Sequence, residues 1–182
     1  MKRWMLVLLM CSGVAWAGRW TIYEECELVE DAYYDGDSFN VKAPTGHTYV
    51  FRLYGVDCPE MDDRIASRLE EQSEEFGVPA AELPKWGGKA KRFVRSFLRR
   101  PFTVHTRKEK AMGASRKNRY YCVIVGANGE RLDEALVKAG LARAYGVGAE
   151  WPERMTRERF LRKLHALESK AKRERTGIWD RE

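Results

Sequence analysis

Five side chains in this sequence have the types and spacing for phosphodiester chemistry. Asp37 lies in the run Tyr34-Asp35-Gly36-Asp37-Ser38. Arg52, Asp57 and Glu60 lie in Phe51-Arg52-Leu53-Tyr54-Gly55-Val56-Asp57-Cys58-Pro59-Glu60, and Arg119 stands far downstream among other basic residues. Asp37 and Asp57 are hard oxygen ligands of the kind that hold Ca²⁺. Glu60 can take a proton from water as a general base. The planar fork of Arg52 can hold a phosphate oxygen. A phosphodiester repels hydroxide; a metal ion offsets its charge and can carry the water. Arginines then bind the charge that grows on the equatorial oxygens in the transition state. Each residue also has a plainer use. Asp35-Gly36-Asp37 alone is a turn signal, Glu60 after Pro59 suits the first turn of a helix, and either arginine can be a surface charge. The joint pattern favours chemistry, because three acids and two arginines form an odd set without a polyanion between them.

The elements that must position these residues are legible in outline. Cys26 to Tyr34, Ser38 to Ala43, His47 to Gly55, Phe102 to Thr106 and Arg119 to Val125 read as five strands. Pro44-Thr45-Gly46 reads as a tight turn between the second and third. Apolar residues at helical spacing mark three helices: one over 87–99, one from Leu132 to Ala139, and a long charged one from about Pro152 to Gly177. Residues 61–85 are acidic and broken by Gly77-Val78-Pro79 and Leu83-Pro84, and read as a surface excursion, with helix conceivable over Asp62 to Phe76. The order suggests a small closed barrel packed with helices, α+β in class.

The 182 residues are enough for one domain and short for two. Residues 1–17 read as a signal peptide: Lys2 and Arg3, an apolar run from Trp4 to Met10, and Ala15-Trp16-Ala17 as the cleavage site. The domain then covers 18–182, with secretion or periplasmic location after cleavage near Ala17, no stable membrane insertion, and a monomer expected. A lipid anchor on Cys11 ranks low, since Met10 is a poor fit before such a cysteine. Removing Lys2 and Arg3 lowers the formal charge of +6 by two, which suits a polyanionic partner without proving one. Cys26, Cys58 and Cys122 cannot all pair with each other; one bridge and a free thiol, or three free cysteines, both remain open. No spacing of Cys or His suggests zinc.

Taken together the motifs resemble the thermonuclease, or staphylococcal-nuclease-like, family. The resemblance rests on Asp35-Gly36-Asp37-Ser38, Phe51-Arg52-Leu53, Val56-Asp57-Cys58-Pro59-Glu60, Arg119, Glu134-Ala135-Leu136-Val137-Lys138-Ala139-Gly140-Leu141-Ala142 and Gly177-Ile178-Trp179. It implies a five-stranded OB-fold barrel with three helices and Ca²⁺-dependent hydrolysis of DNA or RNA, single-stranded substrate favoured. Asp37, Asp57 and the Cys58 carbonyl would hold the ion, Arg52 and Arg119 the scissile phosphate, and Glu60 would be the general base. Asp35 would support the ligands. The segment Arg107 to Lys117 reads as a basic loop; it departs from the family's tyrosine-glycine pattern, so Arg116 or Lys117 would take over a phosphate contact. Tyr145 would lie near the nucleotide, where aromatic rings stack on bases, and Trp151 could stack as well. The competing class is a non-catalytic nucleic-acid-binding barrel.

Overall fold

The computed structural model describes residues 20–29, 36–62, 64–112, 118–151 and 155–180. The proposed signal peptide, Cys11, Asp35, Arg116 and Lys117 therefore lie outside the described residues. The strands are β1 (Thr21–Val29), β2 (Ser38–Lys42), β3 (Thr48–Leu53), β4 (Val56–Asp57), β5 (Phe102–Lys110), β6 (Arg119–Val125) and β7 (Arg143–Ala144). Five of them pair in a ring, β1-β2-β3-β6-β5, with β5 returning to β1, and the sheet closes. All pairs in the ring are antiparallel except β3 with β6. A parallel pair needs a long crossover, and the helical residues 66–97 lie within it. The small strands β4 and β7 pair apart from the ring.

Three strand boundaries differ from the sequence expectation. β5 continues past Thr106 to Lys110, pairing Lys110 with Tyr120 of β6, so Arg107 to Lys110 belong to a strand and not to the expected basic loop. β1 begins at Thr21, five residues before Cys26. Glu25 is left-handed (φ 52°), and the pairing with β5 shifts between Tyr23 and Cys26. Such a bulge breaks the alternation by which strands are read. β3 stops at Leu53, because Gly55 (φ 69°) turns the chain into β4. The turn at Gly46 is as expected, its N–H donating to the Ala43 carbonyl at 2.9 Å.

Four α-helices are found among the described residues, where three were expected: α1 (Ala66–Phe76), α2 (Leu83–Phe97), α3 (Leu132–Lys138) and α4 (Arg157–Arg173). The additional helix, α1, occupies the supposed excursion. Its few apolar side chains share a core with distant residues: Leu69 and Phe76 pack in a buried cluster with Leu83, Ala171, Ile178 and Trp179. The rings of Phe76 and Trp179 lie 5.3 Å apart. Burial of a side chain such as Phe76 contributes about 1.5–3 kcal/mol, so α1 needs no core of its own. Pro84, taken as a break, sits in the first turn of α2, where a missing N–H costs nothing. The α4 helix starts with the Thr156 hydroxyl accepting from the Arg159 N–H. The main core joins the barrel residues Phe39, Phe51 and Ile124 to Leu132 and Leu136 of α3 and Phe160 and Leu164 of α4.

Candidate active site

Asp37, Arg52, Asp57, Glu60, Arg119 and Tyr145 all line one cavity of about 770 Å³. Sheet register accounts for much of this. Ser38 and Arg52 are direct cross-strand partners on β2 and β3, and the Leu53 N–H donates to the Asp37 carbonyl at 2.9 Å. The Asp37 carboxylate thus lies beside the Arg52 guanidinium. After the Gly55 turn, Asp57 on β4 faces Arg143 on β7 in register. The parallel pairing of β3 and β6 brings Arg119 in from the other side. Gly36 is required by packing: a side chain there would press on the Cys58 Sγ at 2.7 Å and the Ala90 Cβ at 2.8 Å.

One guanidinium bridges the two aspartates. Arg52 donates to Asp37 Oδ1 at 2.8 Å and to Asp57 Oδ1 at 3.1 Å. The Cys58 N–H donates to Asp37 Oδ2 at 3.0 Å. Asp57 is buried and accepts from three further side chains. Arg68 reaches its Oδ1, while Gln72 (2.9 Å) and Arg143 (3.0 Å) reach its Oδ2. Arg143 also binds Glu71, which binds Arg68 in turn. Like charges this close are tolerable only as such an alternating network.

Glu60 follows β4 in a loop. Its Oε1 accepts from the N–H groups of Met61 (2.9 Å) and Asp62 (3.1 Å), and its own N–H donates to Gln72 Oε1 at 2.6 Å. Arg119 is more loosely held. It donates to the Ser38 hydroxyl at 3.2 Å and the Met112 carbonyl at 3.1 Å, while its buried Nε has no partner among the described residues. Tyr145 is half exposed at the cavity, with the Arg143 guanidinium 4.2 Å from its ring centre.

Sequence reasoning missed Arg68, Glu71, Gln72 and Arg143. Gln72 is buried and touches three candidate residues at once, donating to Asp57 and to the Cys58 carbonyl (2.9 Å) and accepting from Glu60. Its signal was weak: a glutamine in an acidic helix resembles any solvated residue. Arg143 could have been found, since Ala142-Arg143-Ala144 is a charge between apolar neighbours. Trp151 packs against Trp20 and His105, with ring centres 5.7 and 4.7 Å away, rather than among the residues lining the cavity. The three described cysteines are buried and form no disulfide with one another. Burial pushes the Cys26 thiol up to about 11, which suits packing and not reactivity.

The cavity also bears on metal binding. Asp37, Asp57 and the Cys58 carbonyl offer hard oxygen donors suited to a divalent cation, and the aspartates already share one cationic group. Among the described residues no group of three or more His, Cys, Asp or Glu is placed to hold a metal. Arg52, Arg68, Arg143 and Gln72 take up the oxygens of Asp57, and Gln72 holds the Cys58 carbonyl. The donor chemistry fits a cation, but an entering ion competes with protein donors.

A family model described as staphylococcal nuclease homologue matches residues 50–181. No curated protein matches the chain.

Proposed function

The chain belongs to the staphylococcal nuclease homologue family, and from that membership we propose that it is an exported, Ca²⁺-dependent nuclease cutting DNA or RNA. The observation that carries this reading is the meeting of Asp37, Arg52, Asp57, Glu60 and Arg119 in one cavity. Asp37, Asp57 and the Cys58 carbonyl would hold Ca²⁺. When bound, the ion supplies charge neutralisation and a more acidic water.

The chain's own residues supply the rest. Glu60 takes the proton of the attacking water, its carboxylate oriented by the Met61 and Asp62 N–H groups. Oxygen from water joins phosphorus as the bond to the leaving oxygen breaks. Arg52 and Arg119 bind the equatorial oxygens, where charge grows. Tyr145 offers a ring for a base. Residues 1–17 direct export, cleavage falls near Ala17, and the mature domain acts as a monomer. Among the described residues no helix is long and apolar enough to cross a membrane.

The four donors on Asp57 favour one alternative, a barrel that binds nucleic acid without cutting it. One experiment separates the two. Mature protein and a Glu60→Gln variant are incubated with single-stranded DNA and RNA, with Ca²⁺ or chelator. Cleavage only by the wild type with Ca²⁺ is expected. Cleavage that ignores chelator removes the metal from the reading, and binding without cleavage throughout leaves the alternative.

A further inference from the structure

The α2 helix carries Lys85, Lys89, Lys91, Arg92 and Arg95 and no acid. Its buried residues are Leu83, Gly87, Ala90 and Val94. At 3.6 residues per turn, Lys85, Lys89, Arg92 and Arg95 fall within an arc of about 120° on the opposite face. Lys85, Arg92 and Arg95 are exposed, and Lys89 lies over the Trp86 ring at 3.4 Å. Beyond the helix end, exposed Arg99 and Arg100 extend the series. This end is concave: Arg92, Arg95, Ser96, Arg99 and Arg100 line a second cavity of about 730 Å³. Among the described residues the acid lining it is Glu27, whose carboxylate lies 3.7 Å from Lys42.

A solvated helix ordinarily mixes its charges. The α4 helix does so, with Glu158 and Glu168 among its bases and Lys172 bound to Glu168. A one-signed stripe repels itself and is stabilised by a polyanion.

The N-terminal half of α2 borders the candidate site through its buried face, with the stripe on the side turned away from it. Gly87 packs so closely on the Glu60 loop that a side chain there would meet the Pro59 carbonyl at 2.5 Å. From Gly87 to Arg95 the helix rises about 12 Å, and Arg99 and Arg100 carry the charge further. The neighbouring α1 has the opposite sign, with Glu70 and Glu74 exposed. A phosphate chain leaving the cavity is repelled along α1 and attracted along α2.

We propose that the α2 stripe and its terminal arginine cavity are a track for the phosphate backbone of a nucleic-acid strand, outside the candidate active site. This deepens the nuclease reading by placing the flanking strand, but binding along the track does not require cleavage.

The test is single-strand binding in chelator, followed by fluorescence anisotropy across salt concentrations. The variant combines Lys85→Gln, Arg92→Gln, Arg95→Gln and Arg99→Gln. A control removes the same charge from α4: Arg159→Gln, Arg162→Gln, Lys170→Gln and Arg173→Gln. Circular dichroism confirms that both fold. Each lost phosphate contact lowers the salt slope by about 0.7 for single strands, so the α2 variant is expected to lose about 2–3 from its slope. At low salt it binds a long DNA strand at least tenfold more weakly. The α4 control and binding of a trinucleotide stay near wild type. Equal losses in both variants would reduce the effect to net charge, and an unchanged slope would remove the track. If only binding to anionic phosphatidylserine vesicles falls, the stripe is a lipid surface and the proposal fails. If the wild type never cleaves, the nuclease reading falls while the slopes still decide the track.

Discussion

Asp57 and Arg119 line the same cavity but are held in opposite ways. Asp57 is buried and accepts from Arg52, Arg68, Gln72 and Arg143. Arg119 donates to one hydroxyl and one backbone carbonyl, and its Nε is buried without a partner among the described residues. The first arrangement fixes a carboxylate in place before any ligand arrives, at the cost of competing with that ligand. The second leaves a cation whose bonds can be exchanged for a phosphate at small cost. Under the proposed reaction, the fixed half would position the reactants and the loose half would meet charge that develops only in the transition state.

The largest effect should separate the two arginines. Arg119→Ala is expected to lower turnover by about 10³–10⁵, as removal of a transition-state arginine does elsewhere, with stability changed by about 0.5 kcal/mol or less. Arg52→Ala should lose comparable turnover and also up to about 3 kcal/mol of stability, because it leaves two buried aspartates without their bridge. Turnover on single-stranded DNA and urea unfolding check the pair. Equal destabilisation by both variants would break the contrast between a strut and a loose clamp.

A smaller effect lies wholly within the fixed half. The Arg143 side chain is only 4% exposed and binds both Asp57 and Glu71. Arg143→Ala should cost about 3 kcal/mol, the lower range for breaking a buried pair, measured by urea unfolding in chelator. Arg143→Lys should restore only part of it, since an ammonium lacks the fork that serves two carboxylates. A full rescue by lysine would mean that charge alone matters at this position.

The same contrast governs what the sequence made legible. Strands β2 and β6 and helix α3 could be read because their apolar residues follow one period and their ends carry turn or stop signals. The side chains at the cavity were found because Asp37, Arg52, Asp57, Glu60 and Arg119 fall in motifs of fixed spacing. The supporting shell was hidden for a physical reason. Helix α1 is held by only a few buried residues, Leu69, Gln72 and Phe76, and two of these pack against the distant C-terminal turn. A local window sees only its acids. Likewise nothing near Arg143 in the chain announces Asp57, because their pairing arises from β4 meeting β7. The bulge at Glu25 hid the first half of β1 in the same way, by disturbing a pattern from within.

The smallest expected effect tests whether the hidden shell acts on the chemistry or only on packing. Gln72 holds Asp57, the Cys58 carbonyl and the Glu60 N–H together. Residues that orient ligands in this manner typically contribute 10–100-fold to metal affinity or activity. Gln72→Leu keeps much of the volume and removes all three bonds. It is expected to weaken Ca²⁺ binding, read by calorimetric titration, by about tenfold or more. Turnover should fall by a similar factor, while the pH profile keeps its shape because the Glu60 carboxylate keeps its bonds from the Met61 and Asp62 N–H groups. Gln72→Glu should be worse, since it sets a second carboxylate 2.9 Å from Asp57. One objection is that Gln72 competes with the ion for the Cys58 carbonyl, so that its removal frees a ligand. In that case Gln72→Leu would bind Ca²⁺ more tightly and still turn over more slowly, because Glu60 would have lost its anchor. The sign of the change in Ca²⁺ affinity therefore decides whether the fixed half of the cavity is built to receive a cation or to replace one.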